Sequence, residues 1–352
     1  MSAALRATHR ATRRATRLSL YDRKKALFVV RVMIASAGLG ALFASVIKLF
    51  FIQSERPVGS FVLFGALAGS VISVSLALLS GAITRSRKRP LWFTFFGVPV
   101  LYTLVIALEY AFLFHFIMDP AASLGDFMLP QTIAFSLSMT FVFNFIDAIN
   151  RLLGNHVLRG LLLGTYHRPV VEERFVLFLD LAGSTSTAER IGDLAFHSFL
   201  NDFFCDLAKP AIDLGGDIYK YVGDEAIITW GRDAGSSGAL EAFFSIGEAI
   251  AAREGYYRAR YGDVPRFRAG LHFGKLVVGE MGDYKQEIAL LGDVMNTAAR
   301  IQGECRVLGA DLLVSADAAR ALASDHRALE PRGAVSLRGK GGAIELFSVA
   351  GA

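Results

Sequence analysis

The chain has 352 residues, of which 53% are hydrophobic, and a formal net charge of +5. This composition argues against a wholly soluble protein, since soluble proteins typically contain about 45–50% apolar residues. The basic residues that precede the first apolar segment form the tail 1–25, a position that favours contact with lipid headgroups over nucleic acid. We therefore expect membrane lipid as a partner and no nucleic-acid partner.

Four apolar segments follow the basic tail. They run approximately from Val32 to Ile52, Val58 to Ile83, Leu91 to Met118 and Phe127 to Ile149. Each reaches the length of about 20 residues that a helix needs to cross a bilayer. Residues 26–152 are therefore predicted to form a four-helix transmembrane domain.

The charges of the connecting loops predict the orientation of these helices. The tail 1–25 and the loop Arg85–Arg89 are basic and belong inside, whereas the acidic loop Asp119–Gly125 belongs outside. With an even number of spans, the C-terminal half returns to the side of the tail. We expect a multi-pass protein of the cell inner (plasma) membrane, with its N-terminus and its C-terminal half in the cytoplasm.

Three polar residues lie within the predicted spans. Glu109 and His115 are in the third span, and Asn144 is in the fourth. A polar group in lipid requires a partner. Two interpretations remain open, a buried ligand site and hydrogen bonds between helices, and the second is the simpler one.

Residues 153–171 are predicted to be a linker that includes a signalling helix. Apolar residues recur there at helical spacing and form a stripe that could meet its copy in a dimer. The stripe consists of Leu152, Leu153, Val157, Leu161 and Leu162. Three glycines within the segment weaken it as a coiled coil.

Strands and helices alternate in residues 172–352. The predicted elements are a strand Arg174–Asp180, a helix Thr187–Lys209, strands Asp217–Val222 and Ala226–Trp230, a helix Leu240–Tyr261, strands Phe267–Phe273 and Lys275–Gly279, and a helix Val294–Leu308. This order predicts an α+β domain with a ferredoxin-like (βαββαβ) core. The whole chain is therefore multi-domain.

Two aspartates mark a candidate metal site. Asp180 ends the first predicted strand, and Asp224 lies at the tip of the hairpin between the second and third. The first and second strands are expected to be neighbours in this core, so that the two carboxylates can converge and suit Mg²⁺. Gly183, Ser184 and Thr185 follow Asp180 in a turn whose backbone N–H groups can cradle a polyphosphate. Alone, such a turn is more typical of a helix cap.

Four segments of this half, taken together and in order, resemble the class III adenylate and guanylate cyclases. They are FLDLAGST from Phe178 to Thr185, KYVGDEAI from Lys220 to Ile227, LLGDVMNTAARI from Leu290 to Ile301, and LRGKGG from Leu337 to Gly342. The resemblance covers essentially all of residues 172–352. It implies a class III nucleotide cyclase catalytic domain.

The resemblance also implies roles for individual residues. Asp180 and Asp224 would hold two Mg²⁺ or Mn²⁺ ions per site. The other roles are ribose orientation by Asn296, stabilisation of the transferring phosphoryl group by Arg300, binding of the terminal phosphates by Lys340, and contact with the adenine edge by Lys220. In this family the two sets face each other across a head-to-tail dimer, so we expect a homodimer that makes cyclic AMP from ATP.

One position departs from the family pattern. Ala289, seven residues before Asn296, stands where Asp, Thr or Ser is common, and its side chain forms no hydrogen bond. Lys220 still favours ATP, because guanylate cyclases usually carry an acidic residue at that position. The main chain or a neighbour such as Gln286 would complete adenine recognition. A guanylate cyclase and a catalytically silent, nucleotide-binding signalling receptor remain as alternatives.

Overall fold

The computed structural model describes residues 30, 33–46, 48–50, 57–84, 90, 92–117, 133–134, 136–142, 144–146, 168–284, 286–322, 327–336 and 342–349. The chain forms two compact units, residues 1–148 and 149–352. The predicted basic tail 1–25 lies outside the described residues. So does the predicted linker helix, apart from residues 168–171.

Among its described residues, the first unit contains three helices long and apolar enough to cross a membrane. The first is α1, Met33–Phe50, and the second lies within α2, Val58–Thr84. The third, Phe93–Phe116, begins with a π-helical turn, Phe93–Gly97, and continues into α3, Val98–Ile117. A shorter apolar helix, α4, covers Ser136–Ile146. Three predicted spans thus correspond to helices of sufficient length. The fourth corresponds to α4 over its described part, and a total of four spans stays a prediction.

Glycines bring α1 and α2 into backbone contact. A Cβ atom added to Gly40 would lie 2.1 Å from the carbonyl oxygen of Gly65, and one added to Gly69 would lie 2.2 Å from that of Ser36. Small residues of this kind allow helices in membranes to approach closely. The contact therefore depends on the absence of side chains.

Threonines, rather than the polar residues singled out in the sequence, connect α3 with α4. The hydroxyls of Thr103 and Thr140 lie 3.3 Å apart. Asn144 Nδ2 instead donates to the carbonyl oxygen of Thr140, within its own helix, at 2.8 Å. The predicted interhelical role of Asn144 is therefore not seen within the described residues. Glu109 Oε2 is buried, with no hydrogen-bond partner among those residues.

The second unit is built on one mixed sheet of eight described strands. The strands are β1 Val170–Leu181, β2 Asp217–Val222, β3 Glu225–Gly231, β4 Phe267–Met281, β5 Glu287–Leu291, β6 Leu312–Ser315, β7 Leu329–Ser336 and β8 Ala343–Val349. Their order is β2-β3-β1-β4-β6-β8-β7, with β5 paired to β4 off this path. Neighbours are antiparallel except β4 and β6.

Helices cover both faces of this sheet. They are α5 Ser184–Ile191, α6 Asp193–Asp213, α7 Arg232–Ala251, α8 Glu254–Tyr261, α9 Asp293–Leu308 and α10 Ala316–Ala321. Because side chains alternate along a strand, Leu177 and Leu179 of β1 join the core of α6 and α7, whereas Val176 and Phe178 pack with α9. The predicted α+β core is confirmed, and Asp180 belongs to the α9 face.

Several predicted details are wrong. The first strand does not neighbour the second: β1 lies between β3 and β4, because the tight turn after β2 forces β2 to pair with β3. The two predicted strands around Gly274 are one continuous strand, β4. The first two predicted helices of this half are each two helices, the first pair separated at Gly192, whose φ is 80°, and the second between Ala251 and Glu254. The third, over Val294–Leu308, is one helix as predicted.

Candidate active site

Strand register brings the two aspartates together. Asp180, near the end of β1, lies opposite Glu225 on β3 and Arg268 on β4. Asp224 immediately precedes Glu225 in the β2–β3 turn and lies near enough to Asp180 for its negative charge to act on that carboxyl. The carboxyls thus converge as expected, although β3 rather than β2 is the strand that carries the turn to Asp180.

The acidic cluster is electrostatically crowded. Burial, followed by the negative charges of Asp224 and Glu225, raises the pKa of Asp180 to about 6. Burial and Asp224 also raise the pKa of Glu225. A hydrogen bond of 3.2 Å from Gln302 Nε2 to Asp180 Oδ2 opposes this effect. A cation at this point would relieve the repulsion between the carboxylates.

The donor atoms fit a hard divalent cation. Asp180 and Asp224 offer carboxylate oxygens, the ligands that Mg²⁺ and Mn²⁺ prefer. In the described part of the chain, no three or more His, Cys, Asp or Glu side chains form a complete metal-binding group. Such a cation would therefore need further ligands from water and from a phosphorylated substrate, as is common for Mg²⁺.

The turn after Asp180 offers backbone amides to an anion. Gly183 has a φ of 75°, which a residue with a side chain rarely adopts. It precedes α5, whose first-turn N–H groups at Ser184 and Thr185 have no acceptor within the helix. A cavity of about 210 Å³ adjoins this turn and includes Arg190 and Arg266 in its lining. A helix N-terminus of this kind suits phosphate oxygens.

Asn296 and Arg300 share one face of α9. They are four residues apart, Asn296 is exposed and Arg300 is half-buried. Neither side chain forms a hydrogen bond or an ion pair with another described residue. Gln302, which contacts Asp180, lies about 160° around the helix from Arg300. The Asn296–Arg300 face is therefore directed away from the chain's own aspartates.

Of the two lysines predicted to bind the nucleotide, only Lys220 is among the described residues. Lys220, on β2, lies with its Nζ atom 3.5 Å from each carboxylate oxygen of Glu287, at the start of β5. Ala289, two residues further along β5, is buried. Lys340 lies outside the described residues.

Three neighbours of Asp180 were not identified from the sequence. Glu225 and Arg268 are next to it only because of the register of β1 with β3 and β4, and Gln302 reaches it from α9. The alternation of β3 and β4 would have indicated the first two, had the strand order been known. The position of Gln302 depends on how α9 packs, which no local pattern reports.

Residues 168–351 match the family described as "Adenylate and Guanylate cyclase catalytic domain". The chain is 43% identical over 201 residues to Adenylate cyclase 2 of Rhizobium meliloti (strain 1021), covering 56% of this chain and 55% of that protein. It is 31% identical over 202 residues to Guanylate cyclase D of Mus musculus, covering 55% and 18%. The chain thus spans about half the length of the first relative and far less of the second.

A solved structure shares the fold. The structure of a bacterial light-regulated adenylyl cyclase aligns with a TM-score of 0.54 at 19% identity, covering 62% of this chain and 64% of that one. At this identity the similarity concerns the fold alone.

Proposed function

Because this chain belongs to the family of class III adenylate and guanylate cyclases, we propose that it converts ATP to 3′,5′-cyclic AMP and pyrophosphate. The convergence of Asp180 and Asp224 beside the amide-rich turn at Gly183 is the observation that carries this proposal. Two further facts favour ATP: Lys220 is basic, and the chain is 43% identical to a protein named as an adenylate cyclase.

In the proposed reaction the ribose 3′-oxygen attacks the α-phosphorus of ATP in line with the departing pyrophosphate. Divalent cations held by Asp180 and Asp224, two per site, would supply positive charge that offsets the phosphates and favours ionisation of the 3′-hydroxyl. The Arg300 guanidinium donates hydrogen bonds to the transferring phosphoryl group, whose charge is then dispersed over a fork of donors.

The remaining residues bind and orient the nucleotide. Asn296 positions the ribose, and Lys340 binds the terminal phosphates together with the amides of the turn Gly183–Thr185. Lys220 donates to the adenine edge. Correct placement of the 3′-oxygen on the α-phosphorus is the main task of these side chains, since a well-oriented reaction avoids much of the entropic barrier.

We propose that each site is shared between two copies of the chain. The Asn296–Arg300 face of α9 is directed away from the aspartates of its own chain, whereas Gln302 faces them. A head-to-tail homodimer would present that face to the partner's aspartates and complete two equivalent sites.

The proposed location is the inner membrane. Support comes from α1, α2 and α3, which are long and apolar enough to span a bilayer, and from the basic residues at 1–25 and 85–89. In this proposal, four spans anchor the protein, residues 153–171 form a signalling helix, and the catalytic half lies in the cytoplasm.

Product analysis tests the proposal. Purified full-length protein is supplied with ATP or GTP and with Mg²⁺ or Mn²⁺, beside an Asp180→Ala control, and the products are identified by mass spectrometry. Cyclic AMP that disappears in the control supports the proposed reaction. Cyclic GMP alone would favour the guanylate cyclase alternative, to which Ala289 gives some weight. No product from either nucleotide would favour the silent receptor.

A further inference from the structure

Lys220 has an acidic neighbour from a distant part of the chain. Its Nζ atom lies 3.5 Å from both Oε1 and Oε2 of Glu287, which is 67 residues away in the sequence. The side chains are 47% and 44% exposed, so both are open to a ligand. A pair this exposed contributes little to stability. The pair is important for its position beside the proposed adenine contact and not for its contribution to the stability of the fold.

The fold fixes this neighbour in place. The backbone N–H of Leu290, on β5, donates to the hydroxyl of Tyr219, the residue before Lys220, at 3.2 Å. Tyr219, Ile288 and Leu290 also pack in the same apolar cluster on the α9 face of the sheet. Strand β5 is thus held against β2 by both a hydrogen bond and apolar contacts.

The alternation of β5 places Glu287 on the same side of the strand as Ala289. Ala289 is only 6% exposed and has no polar side-chain atom. Glu287, at the exposed end of the strand, is therefore the side chain on this face that can accept a hydrogen bond next to Lys220. Gln286, which the sequence suggested for this task, precedes the strand.

The chemistry of the adenine edge requires one donor and one acceptor from the protein. Lysine carries only donors and suits the ring nitrogen N1, whereas the 6-amino group needs an acceptor. An ionised glutamate is acceptor-only. We propose that Glu287 accepts a hydrogen bond from the 6-amino group of adenine, so that Lys220 and Glu287 hold the base between them. This inference rests on the proposed adenylate cyclase function.

The same arrangement disfavours a 6-oxo purine bound in the same orientation. Its O6 atom would put lone pairs against the Glu287 carboxylate, and neither group could donate. A site built to accept from an amino group disfavours an analogue that lacks this group, because the acceptor is left without its partner.

The test compares ATP with purine riboside triphosphate, which lacks the 6-amino group. We expect Glu287→Ala in the full-length protein to lower kcat/KM for ATP by about 10- to 100-fold, the loss of one hydrogen bond to a charged group. The same change should leave kcat/KM for purine riboside triphosphate within about twofold, because that nucleotide never made the bond. Glu248→Ala, an exposed glutamate on α7, is the matched control and should alter neither value.

Binding provides a second readout that does not require turnover. Titration calorimetry with each nucleotide should show Glu287→Ala weakening ATP alone. An equal loss for both nucleotides, in kinetics or in binding, would overturn the inference and leave Glu287 with the role of orienting Lys220. If the wild-type protein makes no cyclic AMP but Glu287→Ala still weakens ATP binding selectively, the proposed activity fails while the base contact stands.

Discussion

The side-chain amide of Gln302 on α9 donates a hydrogen bond of 3.2 Å to Oδ2 of Asp180 on β1. Close packing of α9 on the sheet makes this contact possible. A Cβ atom added to Gly270, on β4, would lie only 2.4 Å from the backbone nitrogen of Gln302. The glycine therefore lets the helix approach the strand backbone, and Gln302 orients the carboxyl that is proposed to bind a cation.

Replacement of Gln302 by leucine should weaken cation binding. Without the amide donor, the pKa of Asp180 rises further and its carboxylate is less well oriented, so we expect affinity for Mn²⁺ to fall about five- to tenfold at pH 6. Titration calorimetry measures this directly. Glu304→Gln, on the same helix, is the control. Equal Mn²⁺ affinity in Gln302→Leu and the wild-type protein would show that the hydrogen bond does not position Asp180.

Cation binding should be pH-dependent. With a pKa of about 6, the Asp180 carboxyl of the metal-free protein is largely protonated at pH 5 and ionised at pH 8. Affinity should therefore rise between about pH 5 and 7, with proton release in that range. Calorimetry in two buffers of different ionisation enthalpy counts the protons. The lack of any release at pH 6 would contradict the assignment.

The same pKa predicts the sign of a stability effect in metal-free protein. The folded-state pKa of Asp180 lies above its ordinary value of 3.8, so the folded state binds the proton more tightly than the unfolded state. This contribution to stability is complete below pH 3.8 and is lost as the pH rises through about 6. Asp180→Asn should remove the effect from the pH profile of thermal unfolding.

Complementation tests the shared sites. Asp180→Ala and Arg300→Ala should each be inactive alone, with Arg300→Ala losing about 10²- to 10³-fold in kcat. Each mixed dimer would contain one intact site out of two, so mixed dimers isolated with two affinity tags should restore up to about half of wild-type activity. Mixed dimers that are isolated and remain inactive would place both sets of residues within one chain.

A buried ionic network should dominate the stability of α8. Asp206, whose side chain is 5% exposed, accepts hydrogen bonds from Arg253 Nη1 at 2.6 Å and from the Tyr257 hydroxyl at 2.7 Å. Asp206→Ala leaves both donors without this acceptor and should lower the free energy of unfolding by about 3 kcal/mol.

Asp213→Ala provides the control for that substitution. Asp213 lies on α6, as Asp206 does, and pairs with Lys209 on the surface. Its loss should therefore change the free energy of unfolding by less than about 0.5 kcal/mol. Chemical denaturation of both variants, followed by tryptophan fluorescence, gives the comparison. Similar losses in the two variants would mean that burial of Asp206 has no special role.

The parts of this fold that were predictable from sequence have local signals. The apolar run that ends at Asp180 indicates β1, and the Gly223-containing turn indicates the β2–β3 hairpin. Strand order has no such signal, because pairing of β1 with β3 and β4 depends on segments about 50 and 90 residues away. Helix ends were also missed, since Gly192 interrupts an apolar periodicity that continues on both sides.

The candidate site shows the same division. Asp180, Asp224, Asn296 and Arg300 lie in contiguous motifs and were identifiable in the sequence. Gln302 and Glu287 were not identifiable, because the role proposed for each depends on a single contact with a residue distant in the sequence. Long polar side chains at such positions look like ordinary surface residues until the packing of their elements is known.

The glycines where α1 meets α2 constrain how this protein can change over generations. Positions 40, 65 and 69 accept no side chain, and even alanine would force the helices apart. Leu39, Leu63 and Leu67, their exposed neighbours, can be exchanged for other apolar residues with little effect. Among homologues, the exposed apolar residues of these helices should therefore vary freely while the three glycines are retained. In this half of the chain, shared descent should then be easiest to detect at the glycines.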